Sequence, residues 1–237
     1  MAIPAVEALV FDVFGTVVDW RGGVIAEIER VAKGKGVAID GAAFADAWRG
    51  AYVPSMDRVR RGEVPWTRLD DLHRATLDRL VVQFGLTGLS ETETDHLNRV
   101  WHRLPPWPDA IEGLSRLKRR YIIATLSNGN VSLLLNMAKN VGLPWDTILS
   151  AELVRHYKPD PEAYLGTADL LGRKPQQVML VAAHNNDLQA AQRCGLRAAF
   201  VARPHEHGPG KADRAKASGQ YDAVAEDFVD LARQLGA

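Results

Sequence analysis

The chain predicts an α/β fold: a parallel sheet flanked by helices and interrupted after its first strand by an inserted helical block. Three observations predict it. The apolar run Ala8-Leu9-Val10-Phe11 ends at a polar loop opening with Asp12, the pattern of a short buried strand. No comparable run follows between about residues 18 and 101, where apolar residues recur at helical spacing. Beyond residue 109 strand-like and helix-like segments alternate, as in βαβ units. A chain of 237 residues, 46% of them hydrophobic, is long enough for a sheet core and an inserted unit. We expect the core over 1–17 and 104–237 and the helical block over 18–103.

Each element has its own signal. In the helical block, one helix carries Val24, Ile25, Ile28 and Val31; a second carries Phe44, Trp48, Tyr52 and Met56, each four residues from the last. A third carries Leu69, Leu72, Leu77, Leu80 and Phe84, and a fourth Leu97 and Trp101, which together suggest a bundle. Asp109 to Arg119 reads as a helix, and Tyr121 to Leu126 as a strand ending at Ser127-Asn128-Gly129-Asn130. Val131 to Asn140 is a helix closed by Gly142, and Thr147 to Leu149 a short strand. Pro161 to Leu171 is a helix with proline at its start. Val178 to Val181 is a strand, Asp187 to Cys194 a helix, and Ala198 to Val201 a further strand.

Composition narrows the function. Lys plus Arg and Asp plus Glu both number 29, so no net field draws nucleic acid or an anionic membrane. The single Cys194 forms no internal disulfide, fits a reducing compartment, and is expected to be a buried helix residue. The opening MAIPAVEALVFDVFG has no basic n-region and too short an apolar run for a membrane span. A cytoplasmic location is the expectation. His205, Glu206 and His207 tempt a metal reading, but they lie in a Pro/Gly-rich loop expected to face solvent, and no metal or other cofactor is expected.

In open parallel sheets ligands bind at the carboxyl ends of strands. Polar residues follow four such ends here: Asp12, Ser127-Asn128, Lys158, and His184-Asn185-Asn186-Asp187. They should converge, with the helical block above them.

Asp12-Val13-Phe14-Gly15-Thr16, Ser127-Asn128-Gly129, Tyr157-Lys158-Pro159-Asp160 and the terminal Asp187 resemble, in order and spacing, the four motifs of the haloacid dehalogenase (HAD) superfamily. The resemblance covers nearly the whole chain and is greatest to the type II L-2-haloacid dehalogenases. It implies a Rossmann-like core with a helical cap. It also implies hydrolytic removal of halide from short L-2-haloacids and haloacetates, giving 2-hydroxy acids through an ester on Asp12. Phosphatase members carry a second Asp two positions after the nucleophile. Here that position is Phe14, which cannot donate a proton and is expected to wall the substrate site. The last motif supplies one carboxylate, Asp187, which speaks against a Mg²⁺ site.

The resemblance also distributes roles. Asp12 is the nucleophile, Thr16 holds its loop, and Lys158 is the counter-charge that orients it. Ser127 takes the substrate carboxylate; read from its position alone it is a helix N-cap, and both roles can hold at once. Asn128 adds to the same anion site. Arg49 matches the cap arginine that receives the halide. Tyr164 bonds the nucleophile or packs; Asp187 orients Lys158 or water, or caps the next helix. Trp48, Tyr52 and Trp66 are expected to pack within the cap. The segment Ala182-Ala183-His184-Asn185-Asn186-Asp187 departs from the family's Ser-Ser-Asn-x-Trp-Asp, with His184 at the Asn position. His184 and Asn185 are expected in the catalytic set, His184 on the hydrolytic water or the halide. Its bulk suggests a compact pocket favouring haloacetates, fluoroacetate included. A small haloacid is the expected partner, in a homodimer as is common in the family. The alternatives are a Mg²⁺-dependent HAD phosphatase, or a HAD fold that binds a partner without catalysis.

Overall fold

The computed structural model describes residues 6–212 and 216–237. The first five residues of the opening stretch lie outside them. Strands β1 (Ala8–Phe11), β2 (Ile122–Thr125), β3 (Val178–Ala182), β4 (Arg197–Val201) and β5 (Ala223–Ala225) form one parallel sheet in the order β2-β1-β3-β4-β5. The central strand β1 is buried on both faces, which is why it reads as an unbroken apolar run. Its alternation divides the interior. Leu9 and Phe11 enter one apolar cluster, Ala8 and Val10 the other. Phe11 pairs with Thr125 and with Val181, so the carboxyl ends of β1, β2 and β3 finish at one level. That register brings three of the polar segments to one edge.

Between β1 and β2 run α1 (Trp20–Gly34), α2 (Gly41–Gly50), α3 (Tyr52–Arg60), α4 (Leu69–Gln83) and α5 (Glu91–Asn98), then a short 3₁₀ turn, Arg99–His102. Their apolar faces, including Ile28, Phe44, Trp48 and Leu77, share the cluster of Leu9 and Phe11. The helical block and one sheet face are therefore packed as a single interior. The expected continuous helix from Phe44 to Met56 is in fact two, broken at Ala51. Pro54 explains the break, since it has no N–H for the Gly50 carbonyl.

The remaining helices are α6 (Ala110–Lys118), α7 (Val131–Val141), α8 (Ala151–Val154), α9 (Pro161–Leu170), α10 (Asn185–Arg193) and α11 (Phe228–Gln234). Gly142 ends α7 in the left-handed conformation at φ 73°. The expected strand Thr147–Leu149 is only a pair of isolated bridges, Ala124 with Thr147 and Ser127 with Ser150. Side chains take the place of a ladder there. Asp146 Oδ2 accepts the Ile123 N–H at 2.9 Å, and Thr125 Oγ1 both donates to Leu149 O and accepts from Leu149 N. Strand β5 was not expected; three residues are too few to show a period. Cys194 ends α10 and is half-buried rather than buried.

Candidate active site

Asp12 leaves β1 with its backbone N–H still on Val181 O at 3.1 Å, so sheet pairing fixes the carboxylate. The chain then turns through Gly15 at φ 87°. That turn returns Thr16 to Asp12, where the Thr16 hydroxyl donates to Oδ2 at 2.8 Å. Thr16 Oγ1 itself accepts the Ala183 N–H at 3.0 Å, which leaves its hydrogen only the aspartate to point at. Lys158 Nζ reaches Asp12 Oδ1 at 2.9 Å and Asp187 Oδ2 at 2.5 Å. The Tyr164 hydroxyl donates to the other Asp187 oxygen at 2.6 Å. Asn128 clasps the lysine backbone, its Oδ1 accepting the Lys158 N–H at 2.7 Å.

His184 lies between two carboxylates. Its Nδ1 is 2.9 Å from Asp12 Oδ2 and its Nε2 is 2.9 Å from Glu206 Oε1. Carboxylates only accept, so both ring nitrogens carry hydrogens and the group is an imidazolium. Burial works against that charge, but Glu206 and Asp12 outweigh it and push the His184 pKa up to about 10. Burial would likewise raise the Asp12 pKa; Lys158 and His184 prevail and hold it well below the usual carboxylate range. Lys158, although buried, is raised by Asp12 and Asp187. Asp12 is thus an ionised acceptor held by three hydrogen-bond donors.

Asp12, Lys158, Asp187, Asn128, Tyr164 and His184 line a cavity of about 350 Å³ with Tyr52, Met56, Asp57, Arg60 and Asn186. Arg49, from α2, is on the same wall. Its guanidinium stacks 4.1 Å from the Tyr52 ring and 5.4 Å from the Trp20 ring. Its Nη1 is buried without a hydrogen-bond partner. A buried cationic N–H left open beside a cavity is a ready seat for a small anion.

Asp12, Thr16, Lys158, Asp187, His184, Asn128, Tyr164 and Arg49 thus come together. Three expected residues do not. Asn185 turns away: its amide donates to Lys216 O and its Oδ1 accepts from Ser218 N and Tyr221 Oη, so it pins that loop and offers nothing to Asp12. Ser127 is fully buried behind the cavity wall, with its Oγ accepting the Gly129 N–H. It is not the N-cap either; that position is Asn130. Phe14 is 2% exposed and faces Trp101 and Tyr52 edge-on at 5.8 and 6.4 Å, inside the aromatic packing. Tyr164 bonds Asp187 rather than Asp12. Tyr52, expected only to pack, lines the cavity.

Sequence reading missed Glu206. It was expected in a solvent-facing loop, yet it is 3% exposed and also accepts the Trp20 indole N–H at 3.1 Å. Burial would raise its pKa, but His184 lowers it. No signal in the sequence ties it to the site; in the fold Gly15 makes its room, since any Cβ there would overlap the Glu206 carboxylate. Among the described residues no cluster of three or more His, Cys, Asp or Glu could hold a metal ion.

A parallel sheet with an ionised Asp, a Lys and a second Asp at its strand ends is the arrangement of a HAD-type hydrolase. A family model for haloacid dehalogenase-like hydrolases matches residues 6–195, and the chain belongs to that family. Its relatives are narrower. It is 30% identical to an (S)-2-haloacid dehalogenase of Xanthobacter autotrophicus over 84% of this chain and 76% of that protein. The crystal structure of a defluorinating L-2-haloacid dehalogenase superposes with a TM-score of 0.96 at 48% identity, covering 100% of this chain and 99% of that one. A second L-2-haloacid dehalogenase structure gives 0.94, also at 48%, over 98% and 99%.

Proposed function

We propose that this chain hydrolyses the carbon–halogen bond of short L-2-haloacids and haloacetates, with Asp12 as nucleophile. The observation that carries the reading is the opposition across one cavity of an ionised, triply held Asp12 and the unpartnered guanidinium N–H of Arg49. The carboxylate attacks Cα opposite the halide, and the C–X electron pair leaves with the halide towards Arg49. Water then attacks Cγ of the ester, and a 2-hydroxy acid departs. Lys158 offsets repulsion between Asp12 and the substrate carboxylate. Asn128 is the member of its turn that meets the substrate. The block 18–103 acts as the cap, contributing Arg49 and Tyr52. Fluoroacetate falls within the proposal, supported by the relative described as defluorinating.

A phosphatase fits less well. Phe14 stands in place of its acid, and the last motif offers Asp187 alone, already bonded by Lys158 and Tyr164. No helix among the described residues is long and apolar enough to cross a membrane. A cytoplasmic homodimer completes the proposal, which sedimentation would check.

The test is halide release from each enantiomer of 2-chloropropionate, from chloroacetate and from fluoroacetate, in excess EDTA, with Asp12→Asn as control. Release from the L isomer, lost in the control, is expected. Absence of release from every substrate overturns the reading.

A further inference from the structure

We propose that Glu206 is a positioning residue for ester hydrolysis, keeping His184 an imidazolium whose Nδ1–H, with the Thr16 hydroxyl, holds Asp12 Oδ2 while water attacks. This rests on the nucleophile reading above and deepens it.

The two oxygens of Asp12 are held differently. Oδ1 has Lys158; Oδ2 has Thr16 and His184. The Thr16 hydrogen is already committed to Oδ2 by the Ala183 N–H on its oxygen. If Oδ1 forms the bond to Cα, Oδ2 becomes the ester carbonyl, already facing two donors. Water adds to Cγ, and the π pair moves to Oδ2, where the two donors receive the charge. Collapse breaks the Cγ–Oδ1 bond. One water proton passes to the departing alkoxide and the other to solvent. The carboxylate is restored, now holding the water oxygen.

Glu206 makes this possible at the right moment. Esterification removes the charge of Asp12, one of the two anions that keep His184 protonated. Glu206 is the other, and it remains, held at Nε2 and anchored by Trp20. A buried carboxylate is costly unless it is paired, and packing alone would have filled that place with an apolar side chain. The arrangement also speaks against His184 as a general base, since neither ring nitrogen has a free lone pair. Asp12 at the end of β1 and Glu206 in the loop after β4 bond His184; Asp187 on α10, Lys158 just before α9 and Arg49 on α2 share its cavity, and His207 lies 3.6 Å from Glu206.

The experiment is single-turnover kinetics of the full chain with chloroacetate. Halide release reports ester formation, and the mass of the aspartyl adduct reports its decay. Glu206→Gln should still release one halide per chain, which also shows that it folds. Ester decay should then slow by roughly tenfold to a hundredfold. It should fall further as pH rises through the ordinary imidazole range near about 6.5, where the wild type stays level. Decay equal to wild type, or rising with pH, overturns the proposal and leaves the nucleophile reading intact. No halide release from the wild type overturns that reading itself, and this inference with it. His184→Asn is the second variant: slow decay without this pH dependence is expected, and wild-type decay overturns the role even if Glu206→Gln does not fold.

Discussion

Tyr164 donates its hydroxyl hydrogen to Asp187, whose other oxygen receives Lys158. The Asp12 carboxylate is therefore held by a chain of contacts that begins on α9. Burial and the adjoining Asp187 raise the Tyr164 pKa, so the hydroxyl stays a donor. Tyr164→Phe leaves a buried carboxylate oxygen short of its donor, a loss of about 1–3 kcal/mol. We expect a lower urea midpoint and about tenfold slower turnover of chloroacetate, as Lys158 loses its fixed partner. Unchanged values for both would show the bond to be incidental.

Arg49 poses the opposite case, a buried donor with nothing to hold. Arg49→Ala should cut kcat/KM by about a hundredfold, the scale for loss of one buried charge-stabilising donor, while stability changes by less than about 1 kcal/mol. Arg49→Lys should not rescue it, because the planar group stacks on Tyr52 and Trp20. Steady-state kinetics and melting curves of the two variants decide this. A fully active lysine variant would count against the planar-stack argument.

The charges of the site make stability depend on pH in two windows. The folded pKa of His184, about 10, lies above its unfolded value of 6.5. Its contribution is complete below that unfolded value and is lost as pH rises through about 10. Asp12 is depressed, so its contribution is present above the ordinary carboxylate range and is lost as pH falls through its folded value. Urea midpoints measured from neutral to pH about 10 should therefore fall, and His184→Asn should flatten that fall. A parallel decline in both proteins would place the alkaline loss elsewhere.

Gly15 serves two needs, a positive φ and room for Glu206. Gly15→Ala should destabilise by at least about 1–2 kcal/mol from the left-handed backbone alone, with more from displacing the carboxylate. The variant should also resemble Glu206→Gln in ester accumulation. Adduct mass spectrometry together with thermal melting tests both halves.

Much of this was open to reading in the sequence. β1 declared itself because a strand buried on both faces is a pure apolar run, and its end located Asp12. Asp187 followed from the end of β3, aligned with β1 by a parallel register, whereas Lys158 follows no strand and was legible from its motif, Tyr157-Lys158-Pro159-Asp160. Other parts depended on three-dimensional partners. Pro54 breaks a helix that its apolar spacing would continue. Asn185 and His184 are neighbours on the chain, yet the start of α10 sends them in different directions. Glu206 lies in a loop whose composition suggests solvent, and only the fold supplies His184 and Trp20 to pair with it.

Phe14 carries a consequence for how this chemistry can change. Its ring is enclosed by Trp101 and Tyr52 and approaches Gly129 closely, and Tyr52 in turn carries Arg49. A carboxylate placed at that position would arrive as an unpaired charge among aromatic rings, and Arg49 would lose the support of the Tyr52 ring in the same step. A change at Phe14 alone would therefore cost stability and loosen Arg49 together. The surrounding rings would have to be replaced before a carboxylate could stand beside Asp12, so one apolar side chain ties the chemistry of this pocket to the packing beneath it.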